Sequence, residues 1–255
     1  MDLATITPVI LTWNEDPNLR RCLERLRWAA EVIIIDSGST DATDAIAAEF
    51  PNTRLIVRPF DDHTTQWNFG VDTTTTNWVL SLDCDYVLCP GFEDELARLD
   101  EATTCDAFYA SFRYLIFGKP LRACLYPPRA VLFRKDRCRY VPDGHTQLLS
   151  IPGTTAHLAT KIDHDDRKPL SRWIASQDKY ARLEAEKLTA LTQLSPQDRI
   201  RRTMILGPVF VFFYTLLVRR VIFDGLHGWY YSFQRALAEI MLSLRLLEKK
   251  IGKSA

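Results

Sequence analysis

The chain has 255 residues, enough to bury a sizeable core as one large domain or as one domain with an appendage. Its 32 basic and 32 acidic side chains cancel, so no global charge argues for nucleic acid or for an acidic partner. Six cysteines form no CxxC pair and no apolar leader precedes the first strand-like run, so reduced thiols in a cytoplasmic protein are expected.

Ile6 to Thr12 is rich in β-formers and breaks into Thr12-Trp13-Asn14-Glu15. Asp16 and Pro17 then read as an N-cap and a first helical proline, followed by Leu19, Cys22, Leu23 and Leu26 at helical spacing. Glu31 to Ile35 is the next buried strand, and it opens into Asp36-Ser37-Gly38-Ser39-Thr40-Asp41, a small polar turn leading to a helix that ends near Phe50. Arg54 to Val57 predicts a third strand, and Gln66 to about Thr75 a short helix. Trp78 to Leu82 is an apolar run that ends in Asp83-Cys84-Asp85.

Strands alternating with helices, in apolar runs without polar alternation, predict an α/β fold with a mainly parallel sheet covered on both faces. Glu15, Asp36, Asp83 and Asp85 then gather at one edge, the carboxyl ends of the strands, where such sheets bind ligands. Spacing i, i+2 in extended chain sets Asp83 and Asp85 on the same side. Hard carboxylate oxygens in that arrangement suit a divalent ion and, through it, a diphosphate. Taken singly, each acid also reads as a cap or a solvated turn residue.

In order and spacing these segments, together with Asn68, resemble the N-terminal half of family 2 glycosyltransferases with the GT-A fold, and most of all the bacterial lipopolysaccharide-core glucosyltransferase branch. The resemblance covers residues 6 to about 165. It implies that Glu15 and Asp36 contact the nucleoside of a nucleotide-sugar donor. Asp83 would contact the ribose and Asp85 would coordinate Mg²⁺ or Mn²⁺ on the diphosphate. Asn68 would help to orient the donor, with a helix hydrogen bond as its alternative role.

Further along, 106–114 and 130–134 read as strands. Tyr126-Pro127-Pro128-Arg129 between them reads as a loop over the site, with Arg129 a solvated charge and, as the alternative, a binder of a phosphate or an acceptor anion. The Pro142–Gln147 segment is expected to be a loop bearing the general base that takes the proton from an acceptor hydroxyl. Similar enzymes carry an acid where this chain has Gln147, so the base is assigned to Asp143, with His145 next. His164, within Ile162-Asp163-His164-Asp165-Asp166, resembles the histidine with which GT-A enzymes often close a metal site.

Ser171 caps a predicted helix that runs to Leu194. Met204 to Val218 carries no charge, is flanked by arginines at 199–202 and 219–220, and is short for a membrane span. An in-plane helix at a membrane surface fits it better, with a core helix as the alternative. A tight turn at Asp224–Gly228 precedes a last helix with an apolar stripe, which ends at Lys249-Lys250. These features divide the chain into a catalytic domain, 1–168, and a helical, membrane-associated region, 169–255. The expectation is an inverting, metal-dependent transferase that moves a sugar, from a UDP-sugar, to a lipid-linked or lipopolysaccharide acceptor while peripheral on the inner face of the cell membrane. A sugar nucleotidyltransferase would open with a glycine-rich basic loop, which Thr12-Trp13-Asn14-Glu15 is not; a non-catalytic binder of sugar nucleotide or membrane is the remaining alternative.

Overall fold

The computed structural model describes residues 1–100, 102–143, 146–190, 193 and 195–252. The chain forms two compact units, one of residues 1–115 and 126–167, the other of 116–125 and 168–255. Ile116–Leu125, counted above with 1–168, therefore groups with the C-terminal helices.

In chain order the elements begin with β1 (Ile6–Thr12), α1 (Leu19–Glu24), β2 (Val32–Asp36), α2 (Thr43–Ala48), β3 (Thr53–Val57), α3 (His63–Thr73) and β4 (Trp78–Asp83). Then come β5 (Tyr86–Leu88), α4 (Phe92–Arg98), β6 (Cys105–Ala110), β7 (Phe112–Ile116), β8 (Lys119–Pro120), β9 (Arg129–Arg134), β10 (Arg139–Asp143), β11 (Thr146–Ser150), β12 (Thr154–His157) and β13 (Ile162–His164). The helices α5 (Leu170–Ala190), α6 (Pro196–Arg202), α7 (Leu206–Phe213) and α8 (Leu226–Gly252) complete the chain.

Among the described residues the first unit is built on a seven-stranded sheet in the order β12-β6-β9-β4-β1-β2-β3. Every neighbouring pair is parallel except those made by β9, which runs against both β4 and β6. Strand side chains alternate between two apolar layers. Ile6, Ile10, Val32, Ile34, Leu80 and Leu82 meet Leu23, Ile46 and Phe92 from α1, α2 and α4. Val9, Ile33, Ile35 and Val79 meet Trp67 and Val71 from α3, and Tyr140 from β10. Ile33, Ile34 and Ile35 are all fully buried, which explains why this run lacks polar alternation.

Several boundaries differ from the sequence reading. Asn18, not Asp16, flanks α1, and the side chain of Asp62 caps α3 by accepting from Thr65 N at 2.9 Å. The 106–114 run is two strands, since the chain passes at Ser111 from the large sheet to a smaller one where β5, β13 and β7 lie side by side. Within the expected 142–147 loop the described residues are paired strand: β10 runs antiparallel to β11, Pro142 opposite Gln147 and Asp143 opposite Thr146.

In the second unit α5 and α8 pack through Ala181, Ala185 and Leu188 against Leu242 and Leu246. Ion pairs join Arg201 to Glu239 and Arg245 to Asp178. The apolar run at 204–218 is α7 continued by a π-helical turn, Tyr214–Val218. Among the described residues no helix is long and apolar enough to cross a membrane. Ile116–Leu125 is tied to these helices by hydrogen bonds: Arg122 N donates to Asp224 at 3.0 Å, Leu125 N to the Tyr231 hydroxyl at 2.9 Å, and Arg219 to Cys124 O at 2.8 Å.

Candidate active site

Register alone brings the strand ends together. Thr12 stands opposite Asp36 across β1 and β2, and Leu11 opposite Asp83 across β1 and β4. The loops that follow are stitched to one another. Asn14 takes a left-handed backbone conformation (φ 56°), which asparagine tolerates. Its amide nitrogen donates to Ser39 Oγ at 2.7 Å, and its side-chain oxygen accepts from Thr40 N at 2.7 Å. Asp36 is buried and shapes the same turn: it accepts from Gly38 N and Ser39 N, and from the hydroxyls of Thr12 and Ser39. Gly38, at φ 87°, supplies the positive φ that this turn needs.

Glu15 is half-buried and receives Asn18 Nδ2 at 3.0 Å. Asn18 is fully buried and joins three segments. It also donates to Asp166 at 3.0 Å, while its oxygen accepts from Arg21 at 2.8 Å and from Arg167 N at 3.0 Å. Asp165, buried beside it, pairs with both Arg21 and Arg167.

This network fixes the segment that carries His164. β13 lies antiparallel to β5 with His164 opposite Tyr86, and Asp165 N donates to Asp85 O at 2.9 Å. The imidazole Nε2 consequently sits 3.1 Å from Asp85 Oδ2. Tyr86, Tyr114 and Tyr126 surround the ring, with centroids 5.4, 4.7 and 4.7 Å away. Burial works against a positive His164, but the charge and hydrogen bond of Asp85, and the charge on Asp83, outweigh it and raise its pKa.

Asp83 is open to solvent on one side and crowded by protein on the others. That desolvation, with the neighbouring charge on Asp85, raises its carboxyl above the usual range, while His164, the Tyr86 hydroxyl and Arg129 act the other way. The Tyr86 and Tyr126 hydroxyls are hydrogen-bonded to each other, and burial pushes Tyr126 up to about 12. Arg129 lies over the Tyr126 ring, 5.5 Å from its centroid. Crowding disfavours its charge, yet Tyr126, Tyr86 and Asp83 hold it above its usual value.

The structure thus brings Asp83, Asp85 and His164 together and adds Tyr86, with Tyr126 from the loop expected over the site. Arg129 is exposed, as its reading as a solvated charge requires, and its charge reaches Asp83. The Asn68 amide spans the backbone of Tyr140, donating to the carbonyl at 2.9 Å and accepting from the nitrogen at 3.1 Å, and so clamps α3 to β10, the hydrogen-bonding role given above as its alternative. Asp143 stands at the end of β10, and His145 lies outside the described residues.

Among the described residues no group of three or more His, Cys, Asp or Glu gathers closely enough to hold a metal ion by itself. Asp85 and His164 offer one hard oxygen ligand and one imidazole. His164 Nδ1 is buried with no hydrogen-bond partner among the described residues, so the protein itself does not repay its desolvation. This donor set fits a divalent ion whose remaining ligands come from phosphate oxygens and water.

Residues 7–138 match glycosyl transferase family 2, just over half of the chain. The chain belongs to that family. An uncharacterized glycosyltransferase of Rickettsia conorii, RC0292, is 23% identical over 261 residues, covering 96% of this chain and 91% of that protein. The lipopolysaccharide core biosynthesis glycosyltransferase LpsC of Rhizobium meliloti is 29% identical over 98 residues, 37% of this chain and 36% of LpsC, so the match spans about a third of that relative. Among solved structures, the mannosyltransferase PcManGT from Pyrobaculum calidifontis, in complex with GDP-Man and Mn²⁺, superposes with TM-score 0.51 at 14% identity, covering 96% of this chain and 88% of that one. TarS 1–349 of S. aureus, in complex with UDP-GlcNAc, gives 0.50 at 13% identity, over 97% and 92%. The fold is the α/β GT-A fold of family 2, its central sheet mixed through β9.

Proposed function

We propose that the chain is a metal-dependent, inverting glycosyltransferase that takes a sugar from a nucleotide donor, a UDP-sugar, and passes it to a lipid-linked or lipopolysaccharide acceptor at the inner face of the cell membrane. The observation that carries this reading is the meeting of Asp85 with His164, beside Asp83 and Arg129, at the carboxyl end of β4. Relatives of the same fold crystallised with GDP-Man and Mn²⁺, and with UDP-GlcNAc, support the donor class. The match to LpsC supports the acceptor class.

Glu15 and the turn shaped by Asp36 receive the nucleoside, and Asp83 the ribose. Asp85 and His164 would hold Mg²⁺ or Mn²⁺, which when bound supplies Lewis-acid stabilisation of the leaving diphosphate. Arg129, exposed beside Asp83, adds a positive charge on the same side. The acceptor hydroxyl attacks the anomeric carbon in line as a base removes its proton. Asp143 is assigned that role, with His145 as the alternative.

The test is transfer from a panel of labelled nucleotide sugars with Mn²⁺, paired with thermal stabilisation by each donor. Asp85→Ala should abolish transfer and donor stabilisation while the far-ultraviolet circular dichroism stays native. Full metal-dependent transfer by that variant would sink the site assignment.

A further inference from the structure

Helix α8 is apolar on two faces, one buried through Tyr231, Leu242 and Leu246 and a second left open. α8 turns Ser232, Glu239 and Ser243 inward and presents Leu226, Trp229, Phe233, Ile240, Leu244 and Ile251 to solvent. These six recur at intervals of three, four or seven residues and so form one stripe. At 1.5 Å per residue it is about 37 Å long. α7 and the turn after it add exposed Phe210, Phe213 and Leu217. Phe212 joins the two helices, its ring 5.3 Å from Phe233 and 6.0 Å from Trp229, so the apolar surface is continuous. A patch of this extent marks a docking surface.

Charge identifies what docks. Residues 199–252 hold nine Lys and Arg (199, 201, 202, 219, 220, 235, 245, 249, 250) against three acids (224, 239, 248), nine minus three or +6, in a chain whose total is zero. All three acids are already in ion pairs: Asp224 with Arg122, Glu239 with Arg201, and Glu248 with Arg245. Arg199, Arg202, Arg219 and Arg220 are exposed at the two ends of the α7 run. Two copies meeting through this face would bring like charges together, whereas an anionic bilayer surface attracts them.

We propose that the α7–α8 face beds in the plane of an anionic bilayer, with Phe210, Phe213 and Phe233 at acyl-chain depth and the arginines among the lipid phosphates. This deepens the reading of a lipid-borne acceptor, yet its test needs neither donor nor turnover, so either reading can fail alone. The full chain is sedimented with phosphatidylethanolamine–phosphatidylglycerol vesicles and, separately, with phosphatidylcholine vesicles. Binding to the anionic vesicles should be stronger by about tenfold or more and should weaken with added salt. Phe210→Ser with Phe233→Ser removes exposed side chains, so a native circular dichroism spectrum and about a tenfold loss of vesicle binding are expected. Arg202→Gln with Arg220→Gln should remove the preference for anionic lipid. The proposal is overturned if the wild-type chain binds neither vesicle or if the phenylalanine pair binds as tightly as wild type. A stable dimer in light scattering that the phenylalanine pair converts to monomer, without vesicle binding, overturns it in favour of a second copy.

Discussion

Replacing Asn18 by alanine removes four hydrogen bonds from a side chain with no exposed surface: two donated, to Glu15 and Asp166, and two accepted, from Arg21 and Arg167 N. Three of the partners are charged, but they keep partial access to water. About 1 kcal/mol for each bond gives a loss near 4 kcal/mol. With an m-value of about 2–3 kcal/mol/M, the urea midpoint should fall by roughly 1.3–2 M. Asn18→Asp keeps the size but sets a third carboxylate against Glu15 and Asp166, so it should be no milder. Because Asn18 ties the donor-side loop to the segment after His164, Asn18→Ala should also weaken donor stabilisation under conditions where it stays folded. A measured loss below about 0.5 kcal/mol would refute the reasoning, since it would mean that water replaces the whole network.

Three further outcomes are expected. Gly70→Ala puts a Cβ 2.6 Å from Val9 Cγ1 and 3.3 Å from Ile35 Cγ1, inside the layer between α3 and the sheet; an overpacking cost of about 1–3 kcal/mol should appear in denaturant unfolding. Burial opposes the charge on Glu95, but hydrogen bonds from Thr160 and Ala159 outweigh it and lower its pKa. Its contribution is therefore complete above the ordinary glutamate value of about 4.3 and fades as pH falls through the lower folded value, and Glu95→Gln should flatten that part of the acid limb in a stability-against-pH series. Arg129→Ala should weaken donor binding about tenfold, or about 1.4 kcal/mol, by titration calorimetry while leaving the urea midpoint nearly unmoved.

The parallel half of the sheet was legible because Ile33–Ile35 and Val79–Leu82 are short apolar runs buried on both faces, each ending in an acid. The second sheet was not: β13 has three residues, too few to show a period, and Asp85, which His164 meets beside its partner β5, lies 79 positions back. His164 was reached by resemblance and chain order, not by spacing. Asn18 reads as an ordinary helix start, and nothing local shows that it holds a segment 148 residues away. For Asn68 chain order alone fits a donor contact and a backbone clamp equally well, and the Tyr140 backbone it clamps lies 72 residues on, where no local pattern shows it.

The excursion at 116–125 also bears on how the polypeptide is made. The partners of Arg122 and Leu125, Asp224 and Tyr231, follow 102 and 106 residues later. At about 5–20 residues per second a ribosome takes roughly 5–20 s to cover that distance. Through that interval β7 and β9 emerge flanking a ten-residue tether whose anchors have not been synthesised. Truncation near residue 168 would make the wait permanent, so a soluble catalytic fragment calls for a redesigned short link between Leu115 and Tyr126 and not for a stop codon alone.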